Sequence, residues 1–572
     1  MDQLVLGGLL FSQELRIAFI FLLGLEGFIM SDLLLRPPVG SESVGSPAGA
    51  PAVESTIHGH VNTLKRSLSW IDVFFIASGV PALVLFSVGA LADQVGTPAC
   101  LIWALSVTMG FFQAFTYAEI SGLFPNKSGG ASVYGSIGWL PYSKFIAPLS
   151  VWCNWIAWTP ILAIGTGLMA GYLLTSIFPA DSAVMTWQYT IADLSWAIDG
   201  LTLRLNATFF LGAFILISIF TAQYFGISKA AKITMILSMA GLLPLLLCSV
   251  GPLLAGDVDM ANFQPFVPLN GAWDFEGLGI FLSGMYVAAW STYAFETCVC
   301  YTSEFKHPKT DVIKSLVFSG LLCILMFSIV PFVFEGSLGL DGLRAPEIVA
   351  GSGVARALGD LLHGGATLTN FIVVMLLLSI ALAVMTSMAG SSRTLYQASV
   401  DGWLPRYLTK VNKHGSPIYA MLTDLSFNLI LLMMSDYMVV LLASNCGYIL
   451  FNWLNLQSGW IHRIDRADAL RPFRAPTVLL GFNVLLSFCN LAFLGVAAAK
   501  ISTTNIVIGL IICAMILPVF CFRHYIQDKG VFPASTLEAE ENGAALKKCG
   551  MLPYFAILCG VCTVLGFYHL FS

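Results

Sequence analysis

One acidic residue stands out for where it lies. Glu296 falls inside an apolar segment, in the run Trp290, Ser291, Thr292, Tyr293, Ala294, Phe295, Glu296, Thr297. A carboxylate at membrane depth costs roughly 2.5–3.5 kcal/mol on insertion scales, so it marks a functional site by default. The hydroxyls and the β-branched residue before it make a poor helix interior. A second apolar stretch, 70–92, carries Ser78, Gly79, Val80, Pro81 and Ala82, where glycine and proline interrupt the helix. A helix broken at membrane depth frees backbone N–H and C=O groups, and a carboxylate beside the break can exchange a proton or meet a cation. The chemistry is reversible binding of a small solute or ion, with Glu296 as the coupling group and the residues of both breaks as the substrate site. The alternative for Glu296 is a structural bond to a neighbouring helix. Thr386 and Ser387 add two hydroxyls that, with carbonyls from the first break, would make an oxygen site for Na⁺; the alternative is a helix-packing pair.

Composition states what must hold these residues. Only 10% of the 572 residues are charged and 57% are apolar, whereas soluble domains carry about 25% charged residues. Backbone in lipid must satisfy its own polar groups, and the long continuous apolar runs select helices over a barrel. The net charge of −5 does not point to nucleic acid. The 13 cysteines are scattered through apolar runs, and Cys559 and Cys562, although spaced CxxC, read as packing residues. The histidines fall in loops or near helix ends, which excludes a buried haem or copper site. No metal or cofactor is implied, and no phosphate-binding Gly-x4-Gly-Lys-Ser/Thr loop is present.

Twelve spans are expected, at 70–92, 98–120, 145–177, 204–225, 232–254, 276–301, 313–337, 366–397, 416–434, 437–463, 476–499 and 504–524. A thirteenth, 551–571, follows a polar tail at 527–548, and 17–35 is a weaker candidate before a Pro/Gly/Ser-rich linker at 36–61. Spans one and six are both broken, and spans three and eight are both unusually long. The offset of five is odd, so the second half must be inserted upside down relative to the first. The domains expected are an N-terminal extension and linker (1–69), a first inverted repeat (70–254), a second (276–463), spans eleven and twelve (476–524), and the tail with its extra span (525–572).

Basic residues orient the chain. With the segment before span one placed in the cytoplasm, 21 of the 27 Lys and Arg fall on that side. Arg204, Arg344, Arg356 and Lys500 fall outside, and Arg16 and Arg36 are unassigned. Asn206-Ala-Thr208, on the outer side, has the spacing of a glycosylation acceptor. Glu119 and Arg393, both near the inner face, are candidates for a gate pair or for solvated helix ends. The stripe Trp152, Trp155, Trp158, with Asn154 inside it, and the run Ser444-Asn-Cys-Gly447 are read as packing or as pathway lining.

Four stretches carry a resemblance. They are Tyr117-Ala-Glu119 with Phe124-Pro125 and Ser128-Gly129-Gly130; Phe295-Glu296 with Glu304-Phe-Lys-His-Pro308; Ser392-Arg393 with Asp401-Gly402-Trp-Leu-Pro405; and Gly79-Val-Pro-Ala82. In this order the chain resembles the amino acid–polyamine–organocation superfamily of permeases from about 70 to 528. The resemblance implies an all-α membrane protein of twelve core helices in a 5+5 inverted-repeat fold, carrying amino acids or amines by alternating access. It implies that the first break holds the substrate carboxylate, that Trp290 stacks on the substrate, that Phe295 or Tyr293 gates the pocket, and that Glu296 is the protonatable or substrate-linked acid. Two features depart from the family pattern. Pro81 lacks an N–H where the family often has glycine or serine. The mid-span-five lysine of several proton-coupled relatives is also missing: Lys232 sits at the start of that span, and Gly241 falls near the expected place.

The expected function is therefore secondary-active transport of an amino acid or related amine through a cell membrane, plasma or bacterial inner, by H⁺ symport or solute exchange. The rivals are an amino-acid-binding membrane sensor and Na⁺-coupled carriage of another small organic solute. A membrane enzyme would need clustered His, Asp and Glu at one face, and the sequence has none.

Overall fold

The computed structural model describes residues 66–572 except 180, 226, 350, 352, 363–364 and 537–546. The helix expected at 17–35, the linker at 36–61 and part of the polar tail lie outside the described residues.

Ser69 starts the first span. Its hydroxyl accepts the Asp72 N–H at 3.3 Å, and Asp72 accepts the Ser69 N–H at 2.8 Å. This reciprocal box satisfies donors that a helix start leaves free. The helix Trp70–Ala77 stops after 8 residues. Pro81 cannot extend an α-helical ladder, and the chain continues as a 3-10 helix, Pro81–Phe86, and then an α-helix, Val88–Val95.

The sixth span is also divided. Asp274 caps it, accepting the Gly277 N–H at 2.8 Å and the Asn270 amide at 2.7 Å. The Gly277 N–H and then the Asn270 amide hold the Asp274 carboxyl below its ordinary pKa. The helix Phe275–Val287 gives way to a 3-10 turn, Ala288–Thr292, and then to the helix Tyr293–Cys300. The break thus begins ahead of the expected 291–294. The cause is distant in sequence. The Asn445 amide donates to the Tyr286 and Val287 carbonyls, both at 3.2 Å, and the Ser106 hydroxyl donates to the Ala288 carbonyl at 3.1 Å. These donors satisfy carbonyls that a helix end leaves without partners.

The third span is made of Ala147–Trp158 and Pro160–Ile177. Its proline removes a ladder bond, and a side chain of another helix compensates: Asn428 accepts the Ala163 N–H at 3.1 Å and donates to the Thr159 hydroxyl at 2.7 Å. The seventh and eighth spans, Pro308–Leu343 and Gly365–Val400, are the longest, at 36 residues each. Gly339 turns the end of the seventh with φ 67°, a left-handed conformation that glycine adopts without a Cβ clash.

The other apolar helices are Ala99–Leu123, Ala207–Tyr224, Ile227–Ala255, the shorter Ile418–Leu432, Tyr437–Asp465, Thr477–Lys500, the segment 503–527 and Leu552–Phe571. Ten helices among the described residues are long and apolar enough to cross a membrane, and the chain is a multi-pass integral membrane protein. The last helix packs on Thr477–Lys500, and its Phe571 stacks on Phe275 at the start of the sixth span with centroids 4.4 Å apart. Cys559 and Cys562 are exposed on it, so they are not packed as expected. The strands Gln188–Asp193 and Thr202–Asn206 form an antiparallel hairpin. It is tied to the loop before Tyr437–Asp465 by Arg204 N–H to Met433 O at 2.8 Å and Ser435 N–H to Thr202 O at 2.9 Å.

Candidate functional site

A cavity of about 620 Å³ runs from the hairpin strand Thr202–Asn206 to Trp290 on the sixth-span break. Leu83 to Ala90 of the first span, Ile161 to Thr175 of the third, and Ala383 and Val384 of the eighth form its walls, with Ser444 of the tenth. Pockets of this volume suit small organic ligands. Trp290 is braced from behind by edge-to-face contacts with Trp103 at 5.4 Å and Phe327 at 5.7 Å. Asn206 also lines the cavity, and its side chain caps the next helix by accepting the Phe209 N–H at 2.8 Å.

Of the residues expected in the two breaks, Trp290 is the one that reaches the cavity among those described. Ser78 is buried and its hydroxyl meets that of Ser238 on the fifth span. Gly79 packs against Leu382 and Ala383 of the eighth span. Val80 is buried, and Pro81 opens the 3-10 helix. Ser291 donates to Ser106 at 3.2 Å. Phe295 lies against Phe111, with centroids 6.0 Å apart, away from the cavity wall. The side chains of Ala82, Thr292, Tyr293 and Ala294 lie outside the described residues. Thr386 donates its hydroxyl to the Ile76 carbonyl at 2.8 Å, beside the first break, and Ser387 is buried next to it. On the fifth span Ser238 meets Ser78 of the first break, whereas Gly241, near the expected place of the absent lysine, faces Ser379 of the eighth span.

Glu296 is 1% exposed. The Trp158 indole and the Tyr117 hydroxyl face its carboxyl, and neither oxygen has a well-formed hydrogen bond among the described residues. Tyr117 leads away from it into a polar chain. Asn452 donates to the Tyr117 hydroxyl at 2.6 Å and to Gln113 at 3.0 Å, and Asn490 donates to Asn452 at 2.9 Å. The tryptophan stripe therefore divides its work: Trp158 faces Glu296, Trp155 donates to Asp424 at 2.5 Å, and Trp152 donates to the Ile512 carbonyl at 2.8 Å.

The opposite ends of these helices are closed by charge. Arg393 pairs with Glu304 through bonds of 2.5 and 3.2 Å, and its guanidinium lies 5.2 Å from the Tyr301 ring centroid. Glu119 accepts from Arg463 at 2.8 and 2.6 Å and from the Ala475 N–H at 2.9 Å, and pairs with Arg471 at 3.2 Å. Lys127 pairs with Asp401. Glu119 and Arg393 thus do not pair with each other, because each has an opposite charge on a nearer segment. Burial pulls the Arg471 pKa down, and Glu119 opposes that shift. Gly129 and Gly130 have φ 99° and 88°. The left-handed turn lets the Gly129 N–H reach the Cys300 carbonyl at 3.0 Å while its own carbonyl accepts from Thr394 at 2.8 Å.

Asp424 escapes the sequence reading, although an acid inside an apolar helix is the same signal that marks Glu296. It is fully buried and accepts from Trp155, Thr159 at 3.2 Å and Ser391 at 2.5 Å. Three donors satisfy it without a cation. Among the described residues no His/Cys/Asp/Glu group could hold a metal ion.

The sequence pattern of a family described as amino acid permease matches residues 68–519. A branched-chain amino acid permease of Lactococcus lactis is 22% identical over 357 residues, 60% of this chain and 70% of that protein. A chloroplastic cationic amino acid transporter of Arabidopsis thaliana is 24% identical over 299 residues, 52% of this chain and 49% of that protein. The chain thus spans about half the length of that relative. A polyamine transporter of Oryza sativa subsp. japonica is 23% identical over 451 residues, 78% of this chain and 75% of that protein. The three names carry three different solutes.

Proposed function

Since the chain belongs to the amino acid permease family, we propose that it is a secondary-active transporter of an amino acid or related amine, working by alternating access through H⁺ symport or solute exchange. The observation that carries this reading is one-sided access. The cavity reaches Trp290 from the hairpin face, while Arg393–Glu304, Glu119–Arg463 and Lys127–Asp401 close the other face. We assign the closed face to the cytoplasm, following the excess of Lys and Arg there.

In this reading 70–254 and 276–463 are two inverted repeats, 476–524 adds two further spans, and the tail adds one more. The solute descends to the breaks, its carboxylate on freed backbone N–H groups of the first and its body against Trp290. Closure of the outer halves of spans one and six, followed by parting of the inner ion pairs, would release it on the far side. Glu296 is the coupling acid, placed beside the sixth-span break and linked through Tyr117 to the second and tenth spans.

Uptake into liposomes tests the reading, using a panel of labelled amino acids and amines under imposed pH or Na⁺ gradients. Accumulation or exchange of a solute is expected. No transport under any gradient, by protein that is monodisperse and melts cooperatively, would overturn it. Sodium coupling is the second reading, favoured by the Thr386 hydroxyl at the Ile76 carbonyl. Uptake unchanged when K⁺ replaces Na⁺ would remove it.

A further inference from the structure

Relatives named for branched-chain, cationic and polyamine solutes leave the solute class open, and the cavity wall narrows it. Among the described residues that line it, the charged side chains are Arg204 and Asp436. They have opposite sign and both lie at the hairpin end, Arg204 on the strand Thr202–Asn206 and Asp436 at the start of Tyr437–Asp465. Below them the wall is mostly aliphatic and aromatic down to Trp290, with Leu83, Phe86, Ile164 and Val384 on it beside the uncharged hydroxyl residues Ser87, Tyr172 and Ser444.

The buried acids do not alter this. Glu296 is covered by Trp158 and Tyr117 and does not line the cavity. Asp424 is occupied by Trp155, Thr159 and Ser391 and does not line it either. A cationic side chain held below Asp436 would lose its water and meet no anion on the wall there. An apolar side chain would gain by leaving water in proportion to its area. At the first break the Ser78 and Val80 N–H groups are spent on the Phe74 and Ala77 carbonyls, and Gly79, packed against Leu382 and Ala383, does not line the cavity, so selection of the side chain falls to the wall.

We propose that the solute is a zwitterionic amino acid with an uncharged apolar side chain, and that cationic amino acids and polyamines are excluded. This rests on the transporter reading above. The size of the cavity admits aliphatic side chains of the leucine type and leaves room for an aromatic one.

Full-length protein in liposomes, loaded with unlabelled leucine, is given labelled leucine outside, and competitors are added. Isoleucine, valine, methionine and phenylalanine should compete. Lysine, arginine and spermidine should fail to compete even at about 100-fold excess, because the wall below Asp436 has no anion to repay their desolvation. In a parallel arm, vesicles loaded with lysine or spermidine and given the same labelled compound should show no exchange. Exchange of lysine or spermidine at a rate equal to leucine overturns the inference while upholding the transporter reading, and so does exchange confined to polar neutral amino acids such as serine or glutamine. Failure of every compound, in exchange and under imposed pH and Na⁺ gradients alike, with folded protein, overturns the transporter reading itself. The variant Ile164→Asp places an anion on the wall and should let lysine compete while weakening leucine. If lysine competes equally well before and after this change, the wall does not select the solute and the inference fails.

Discussion

Arg393 and Glu304 form a two-bond ion pair although they are only 4% and 1% exposed. The arginine comes from the eighth span and the glutamate from the end of the sixth, so the pair ties two spans of the proposed second repeat together at the closed face. Removing one partner of a buried pair costs about 3–5 kcal/mol, because the other charge stays buried alone. Arg393→Ala should therefore lower the melting temperature sharply or open the closed face. The double change Arg393→Met with Glu304→Gln should recover most of the stability. Thermal unfolding in detergent checks this, and equal melting of the single variant and the parent would show that the pair does not hold the face.

Glu296 lies beside the sixth-span break with Tyr117 and Trp158 against its carboxyl. Glu296→Gln keeps the shape and removes the titratable group. Uptake driven by a pH gradient should be lost while solute binding, read by ligand-induced thermal stabilisation, persists. Unchanged pH dependence would give Glu296 a structural role.

Trp290 and Phe295 are five residues apart and do different work in the structure. Trp290 lines the cavity, whereas Phe295 packs against Phe111 and Gly320. Trp290→Ala should raise KM about 10-fold or more with a modest loss of stability, the effect of removing an aromatic anchor worth about 2 kcal/mol. Phe295→Ala should cost about 3–5 kcal/mol of stability by opening a core cavity. Melting curves and uptake kinetics on both variants separate the roles, and the reverse pattern would reassign them.

Asp424 collects Trp155, Thr159 and Ser391 around the proline break of the third span. Asp424→Ala removes the acceptor of Trp155 and Thr159 and leaves Ser391 with only the Met388 carbonyl at 3.4 Å, at about 1–3 kcal/mol for each unsatisfied group. Asp424→Asn retains one acceptor oxygen and should fall between the alanine variant and the parent in thermal stability. An alanine variant as stable as the parent would show that the break is held by Asn428 alone.

Asp274 gives a pH signature outside the membrane segments. Its carboxyl is held below the ordinary value by the Gly277 N–H and the Asn270 amide. A depressed folded pKa adds stability above the unfolded pKa, and that stability is lost as pH falls through the folded one. Asp274→Asn should flatten the acid limb of the melting-temperature profile, and an identical limb in the variant would show that the cap does not contribute.

Much of this was legible from local sequence rules. The helical class followed from long apolar runs with few charges, which give ten helices long enough to cross a membrane among the described residues, and the break at Ser78–Pro81 from a glycine and a proline that no helix interior favours. Glu296 was conspicuous because an acid in lipid is expensive wherever the chain folds. Tertiary structure decided which side chains meet. The sixth-span break starts at Ala288 because Asn445 and Ser106, far along the chain, take the carbonyls of Tyr286, Val287 and Ala288. Glu119 and Arg393 have separate partners because charge pairing depends on separation in space. Trp290 faces the cavity and Phe295 does not, since a 3-10 turn and a following helix rotate neighbouring side chains to different faces. Hydropathy sums over a window and sees only composition, whereas the cavity is a void between several helices and depends on how they cross.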